Sequence, residues 1–150
     1  MKKWSVVALL IMAQASFANS IFIPMDENQR DHLKAYGLAY YTLKAGQPVD
    51  WLLNYRGGSF LIPFHNEVLT ECKVRGITYE LISSAKANSI LTEIARPDAN
   101  LNVVRLETAP RVAVYSPKNE LINDEGDAVI LVLDYAEIPY SIIYDEEVLK

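Results

Sequence analysis

Arg56-Gly57-Gly58-Ser59 is the stretch of this chain whose residue types best suit ligand chemistry. Two glycines let backbone N–H groups approach an anion, and Arg56 and Ser59 add side-chain donors. The stretch follows an apolar segment, Val49–Leu53, that reads as a buried strand. Ligands in open α/β sheets bind beyond the carboxyl ends of strands. These four residues are therefore the candidate ligand contact, with a small anion as the expected ligand. The competing reading is a Gly-Gly turn that joins Val49–Leu53 to Phe60–Ile62 as a hairpin. The loop lacks the Gly-Lys-Ser/Thr of a phosphate-binding P-loop, and it is not the Ser-Gly-Gly-x-Asp-Ser loop of ATP-dependent amide-forming enzymes.

Other reactive types are sparse. The loop Ser116–Gly126 offers Ser116, Lys118, Asn123 and Asp124, but a polar loop is more simply a solvated connection. Cys72 falls inside a helical segment beside Val68 and Leu69, without the helix N-terminus or strand-to-helix elbow that would activate a thiol. It reads as a small core residue. His32 and His65 have no metal-ligand spacing. No Ser-His-Asp order, H-E-x-x-H or Gly-x-Gly-x-x-Gly occurs. The sequence thus nominates no catalytic residue, metal ligand or cofactor. Tyrosines such as Tyr36, Tyr40, Tyr41, Tyr135 and Tyr140 fall on core positions, with an aromatic binding platform as the alternative.

The N-terminus reads as an address. Met1-Lys2-Lys3 is positive, Trp4–Ala13 is apolar, and Ser16-Phe17-Ala18 places small residues at −3 and −1 of a cleavage point before Asn19. That is the layout of a secretory signal peptide, and its apolar run is too short to span a bilayer as a helix. The expected product starts at Asn19 and is periplasmic or secreted, with no transmembrane segment after cleavage. Losing Lys2 and Lys3 moves the formal charge from −5 to −7. An acidic chain without a basic cluster is a poor nucleic-acid binder. A small anion or an envelope protein is the expected partner. With one cysteine, no disulfide can form within the chain, and Cys72 is buried, unpaired by design, or matched between chains.

The elements that must position these residues alternate in type. A strand at Ile21–Pro24 precedes a helix to about Ala45, with Asp26 and Gln29 as a capping box and Leu33, Tyr36, Tyr40 and Leu43 as its apolar stripe. Gly46 ends that helix. Asn66–Arg75 is a second helix stopped by Gly76, Ile77–Ile82 a strand, and Ala85–Ala95 a third helix capped by Ser83 or Ser84. Asn102–Leu106 is a further strand. After the junction at Thr108-Ala109-Pro110, Arg111–Tyr115, a helix from about Ala128 to Glu137, and Tyr140–Tyr144 form a βαβ unit. Its helix is so apolar that burial on more than one side is expected. Asp145–Lys150 reads as the first turn of another helix. The expected fold is α/β, a mostly parallel sheet flanked by helices in the flavodoxin/Rossmann manner. The expected divisions are a signal peptide at 1–18, an α/β domain at 19–108, and at 109–150 the start of a second, truncated α/β domain.

The segments IFIPMDENQRDHLKAYGLAYYTLKAG, VDWLLNYRGGSF, ECKVRGITYELIS, APRVAVYSPK and AEIPYSIIYDEEVL resemble the N-terminal part of an exported bacterial family commonly labelled asparagine synthetase B. Members of that family are considerably longer, and it is loosely similar to class I glutamine-amidotransferase-like α/β domains. The label implies a glutamine-dependent amidotransferase with catalytic residues in a further C-terminal part. Glutamine-hydrolysing synthetases use an N-terminal cysteine and an ATP-pyrophosphatase loop. Here position 2 is Lys2, the expected mature terminus is Asn19, and that loop is absent, so no catalytic residue is carried over. The residues themselves favour a ligand- or partner-binding module, non-catalytic in this form. A structural role in the envelope is the third reading.

Overall fold

The computed structural model describes residues 18–116 and 128–148. Its main body is a five-stranded sheet in the order β4-β1-β3-β2-β5, built from β1 (Ala18–Ile23), β2 (Val49–Leu53), β3 (Ser59–Pro63), β4 (Glu80–Ser83) and β5 (Asn102–Leu106). Every neighbouring pair in it is antiparallel. The mostly parallel, flavodoxin/Rossmann-like sheet expected from the alternation of elements is therefore wrong. β1 and β2, joined by α1 (His32–Lys44), do run in the same direction, but β3 lies between them. A crossover helix fixes the relative direction of two strands and leaves room for a third. The β2–β3 hairpin fills that room, which is the Gly-Gly turn reading of residues 54–58. The element order βαββαβ with sheet order 4-1-3-2 is the split βαβ, or ferredoxin-like, arrangement, with β5 added at its open edge.

Two cores follow from the pleat. Ile21, Ile23, Val49, Phe60 and Ile62 face α1 and α2 (Asn66–Val74), meeting Leu38, Leu43, Val68 and Cys72. Phe22, Leu52, Leu61 and Ile82 face the other way, onto Ala87, Ile90 and Ile94 of α3 (Ser84–Ile94). The chain leaves β4 at one edge and must reach β5 at the other, so α3 crosses the sheet and covers its second face.

Local signals shift slightly. Asp31, not Asp26, is the N-cap of α1, its side chain accepting from the Lys34 N–H. Asp26 heads a separate turn, its carboxylate accepting the Asn28 N–H and its carbonyl the Gln29 N–H. Gln29 is buried and staples two loops. Its Nε2 donates to the Pro24 carbonyl at 2.8 Å, and its Oε1 accepts the Thr78 N–H at 2.9 Å. That tie holds residues 77–79 outside the regular strand that their β-branched composition predicts. The core face of α1 is Ala35, Leu38, Ala39, Thr42 and Leu43, while Leu33 and Tyr36 sit at the surface.

Beyond Pro110, β6 (Val112–Tyr115), α4 (Ala128–Ala136) and β7 (Tyr140–Ile143) form the expected βαβ unit, with β6 and β7 paired in parallel. A helical turn, α5 (Asp145–Val148), follows. α4 packs against α1. The expectation that α4 is buried on more than one side fails: Ile130 and Ala136 are buried, but Val129, Leu131, Val132 and Tyr135 are exposed. No helix among the described residues is long and apolar enough to cross a membrane.

Candidate functional site

The loop at 56–59 is a knot in the fold. Asn54, Arg56, Gly57 and Gly58 all have positive φ (62°, 44°, 81° and 91°). Such angles are strained for side-chain-bearing residues, so the surroundings must hold them. The Arg56 carbonyl accepts the Met25 N–H at 3.0 Å. A Cβ on Gly57 would collide with the Met25 carbonyl, which explains a glycine there. Ser59 is fully buried, and its hydroxyl donates back to the Tyr55 carbonyl at 2.9 Å. Arg56 donates through Nε to Asp26 and through Nη1 to Glu80, each at 2.7 Å, and its guanidinium lies over the Phe22 ring. The Arg56 bond holds the Asp26 carboxyl at about 2, below its ordinary 3.8, with help from Asn28 and against partial desolvation. Arg56 thus already faces two carboxylates, which an incoming anion would have to displace.

Cys72 is fully buried on α2, and desolvation pushes its thiol up to about 11. A thiol so raised is not a nucleophile at neutral pH. His32 donates from Nε2 to the Met25 carbonyl, and the backbone of His65 caps α2. Of the Ser116–Gly126 loop only Ser116 lies within the described residues, where it is buried. No group of three His, Cys, Asp or Glu suited to a metal occurs among the described residues.

Among the concave features of the described residues, the most apolar is an open cavity of about 240 Å³ beside α1. Tyr36, Ala39, Tyr40 and Leu43, one helical face, form one wall. Trp51 and Phe60, paired across β2 and β3, form the floor, and Leu106 at the end of β5 one side. Pro110 and Ile138 come from the segments that enter the βαβ unit and leave α4, so that unit completes the cavity. The rings are mutually ordered. Tyr36 meets Phe60 edge-on at 5.6 Å between centroids, and Trp51 lies stacked on Phe60 at 6.4 Å. The Trp51 indole N–H donates to the Gly58 carbonyl at 3.0 Å, so its polar edge is satisfied by the hairpin loop. None of Arg56, Gly57, Gly58 and Ser59 lines the cavity. The sequence did mark Tyr36, Tyr40 and Leu43 as one stripe. That stripe reads as core because nothing local tells a helix face that meets a cavity from one that meets a sheet.

The cavity wall at Ile138 is fixed by its neighbour. Glu137 follows α4 at φ 60°, the left-handed position that glycine usually takes. Its carboxylate bridges Lys34 of α1 at 2.6 Å and Arg75, just past α2, at 2.8 Å. The Lys34 bond, aided by Arg75, lowers the Glu137 carboxyl below its usual range against modest desolvation. Tyr135 bonds Asp31, and Lys34 also lies over the Tyr135 ring. Arg75 lies over Tyr41 and is held by Glu71 as well.

Set beside family models, curated proteins and solved structures, the chain matches none of them.

Proposed function

We propose that this chain is an exported binding module whose ligand occupies the cavity between α1, the sheet and the βαβ unit. The observation that carries the reading is the cavity itself: about 240 Å³, walled by elements far apart in sequence, with three aromatic rings in fixed mutual geometry. Binding sites are typically concave, mostly apolar and placed where structural units meet. The N-terminal leader pattern supports export, to the periplasm or outside the cell.

Two experiments test the two halves. The chain expressed from Met1 is recovered outside the cytosol with Asn19 as its N-terminus. Cytosolic protein that keeps Met1 removes the export half. For binding, melting is followed against small neutral, anionic and cationic compounds, glutamine and asparagine included. Wild type is compared with Leu106→Lys, at the half-buried end of β5, where a long stem reaches solvent. Stabilisation of the wild type that is lost in Leu106→Lys supports the site. Stabilisation by glutamine or asparagine that survives in Leu106→Lys returns the reading to an amidotransferase-type protein. Stabilisation by anions that Arg56→Ala abolishes moves the site to the 56–59 loop.

A further inference from the structure

We infer that the ligand of this cavity is a neutral aromatic molecule of one or two fused rings, an inference that rests on the binding reading above. Size sets the first limit. A cavity of about 150 Å³ accommodates benzene, so one of about 240 Å³ has room for a second fused ring. Charge sets the second. None of the lining residues is charged, and the Trp51 N–H is already engaged by the Gly58 carbonyl. The lining surface is apolar almost throughout. An ionised group held against these walls would therefore be desolvated without compensation.

Ring geometry favours an aromatic over an alkyl chain. Tyr36, Phe60 and Trp51 already form an edge-to-face and stacked series with centroids 5.6 and 6.4 Å apart. A further ring continues that series at the separations that aromatic pairs prefer. Tyr36 is 42% exposed, so it sits at the mouth, where it can admit a flat ligand and then pack against its edge.

The chain has two tryptophans, Trp4 and Trp51; Trp4 leaves with the expected leader, and Trp4→Phe removes its emission where the leader is retained, so Trp51 on the cavity floor is the one reporter. In that background the probes are 1-naphthol, 1-naphthoate and 1-octanol. Trp51 emission reads naphthol binding, and calorimetry gives a dissociation constant for each probe. The expected result is saturable quenching by 1-naphthol, with 1-naphthoate at least about tenfold weaker. Tyr36→Leu weakens 1-naphthol by about threefold to tenfold and leaves 1-octanol unchanged. Equal binding of naphthol and naphthoate overturns neutrality. Octanol binding tighter than naphthol overturns the aromatic class while the binding module stands, provided that Leu106→Lys weakens it. If all three probes fail to saturate, or bind alike in wild type and Leu106→Lys, the inference falls, and the binding reading falls with it only when no stabilisation in the melting series is lost in Leu106→Lys.

Discussion

Arg56 shows how one side chain ties distant pieces of this chain together. It sits at φ 44°, yet it bonds Asp26 in the turn after the first strand and Glu80 at the start of the fourth, while its carbonyl anchors Met25. Strain in the turn is offset by contacts that only the folded chain supplies. The Asp26 carboxyl falls from 3.8 to about 2 on folding. A depressed carboxyl contributes stability that is complete above its unfolded value and lost as pH drops through the folded one. The pair is partly exposed, so the contribution is small. Asp26→Asn is expected to lower the urea midpoint at pH 7 and to flatten its decline between about pH 4 and pH 2. Midpoint curves that run parallel for the two proteins throughout that window would contradict this account.

At the scale of elements, the contact between α1 and α4 decides whether the cavity has its far wall. Gly37, in the middle of α1, is buried against the Ala136 carbonyl, and a Cβ there would collide with that backbone. Glycine is otherwise a poor choice inside a helix, and alanine would stabilise an isolated α1 by about 1 kcal/mol. The close approach explains its presence. Gly37→Ala is therefore expected to push α4 away from α1 although it improves the helix propensity of α1. Limited proteolysis should show cleavage within residues 128–148 accelerated about tenfold or more, with the five-stranded sheet still protected. Greater stability without faster cleavage would show that α1 and α4 do not meet in this way. The bridge from Glu137 to Lys34 and Arg75 serves the same contact, and it keeps Ile138 in the cavity wall.

The whole molecule is unevenly built. β1 and β3 lie inside the five-stranded sheet, covered by α1 and α2 on one face and α3 on the other. β6 and β7 are a two-stranded parallel pair, and the helix that joins them leaves Leu131, Val132 and Tyr135 exposed. Two strands alone are marginal, and parallel sheets normally have both faces covered. Amide exchange should follow this gradient: slowest at Ile21–Ile23 and Phe60–Ile62, fastest among the strands at Val112–Tyr115 and Tyr140–Ile143. Equal protection across the seven strands of the described residues would mean that the βαβ unit draws far more stability from α1 than its contacts suggest.

Local chemistry is what the sequence by itself determined. Gly46 and Gly76 end helices because both adopt positive φ, Ser83 caps α3 through its hydroxyl, and Cys72 is buried because its helix face is apolar. The βαβ unit was also legible, since two strands joined by one helix with nothing between them pair in parallel. The order of the main sheet was decided only by tertiary structure. Strand periodicity says which residues point inward but not which strand is the neighbour, and the insertion of β3 between β1 and β2 turns an expected parallel sheet into an antiparallel one. The cavity is non-local in the same sense. Tyr36, Trp51, Leu106 and Ile138 lie on four segments, and they become one surface when the sheet brings β2 beside β5 and the Gly37 contact seats α4.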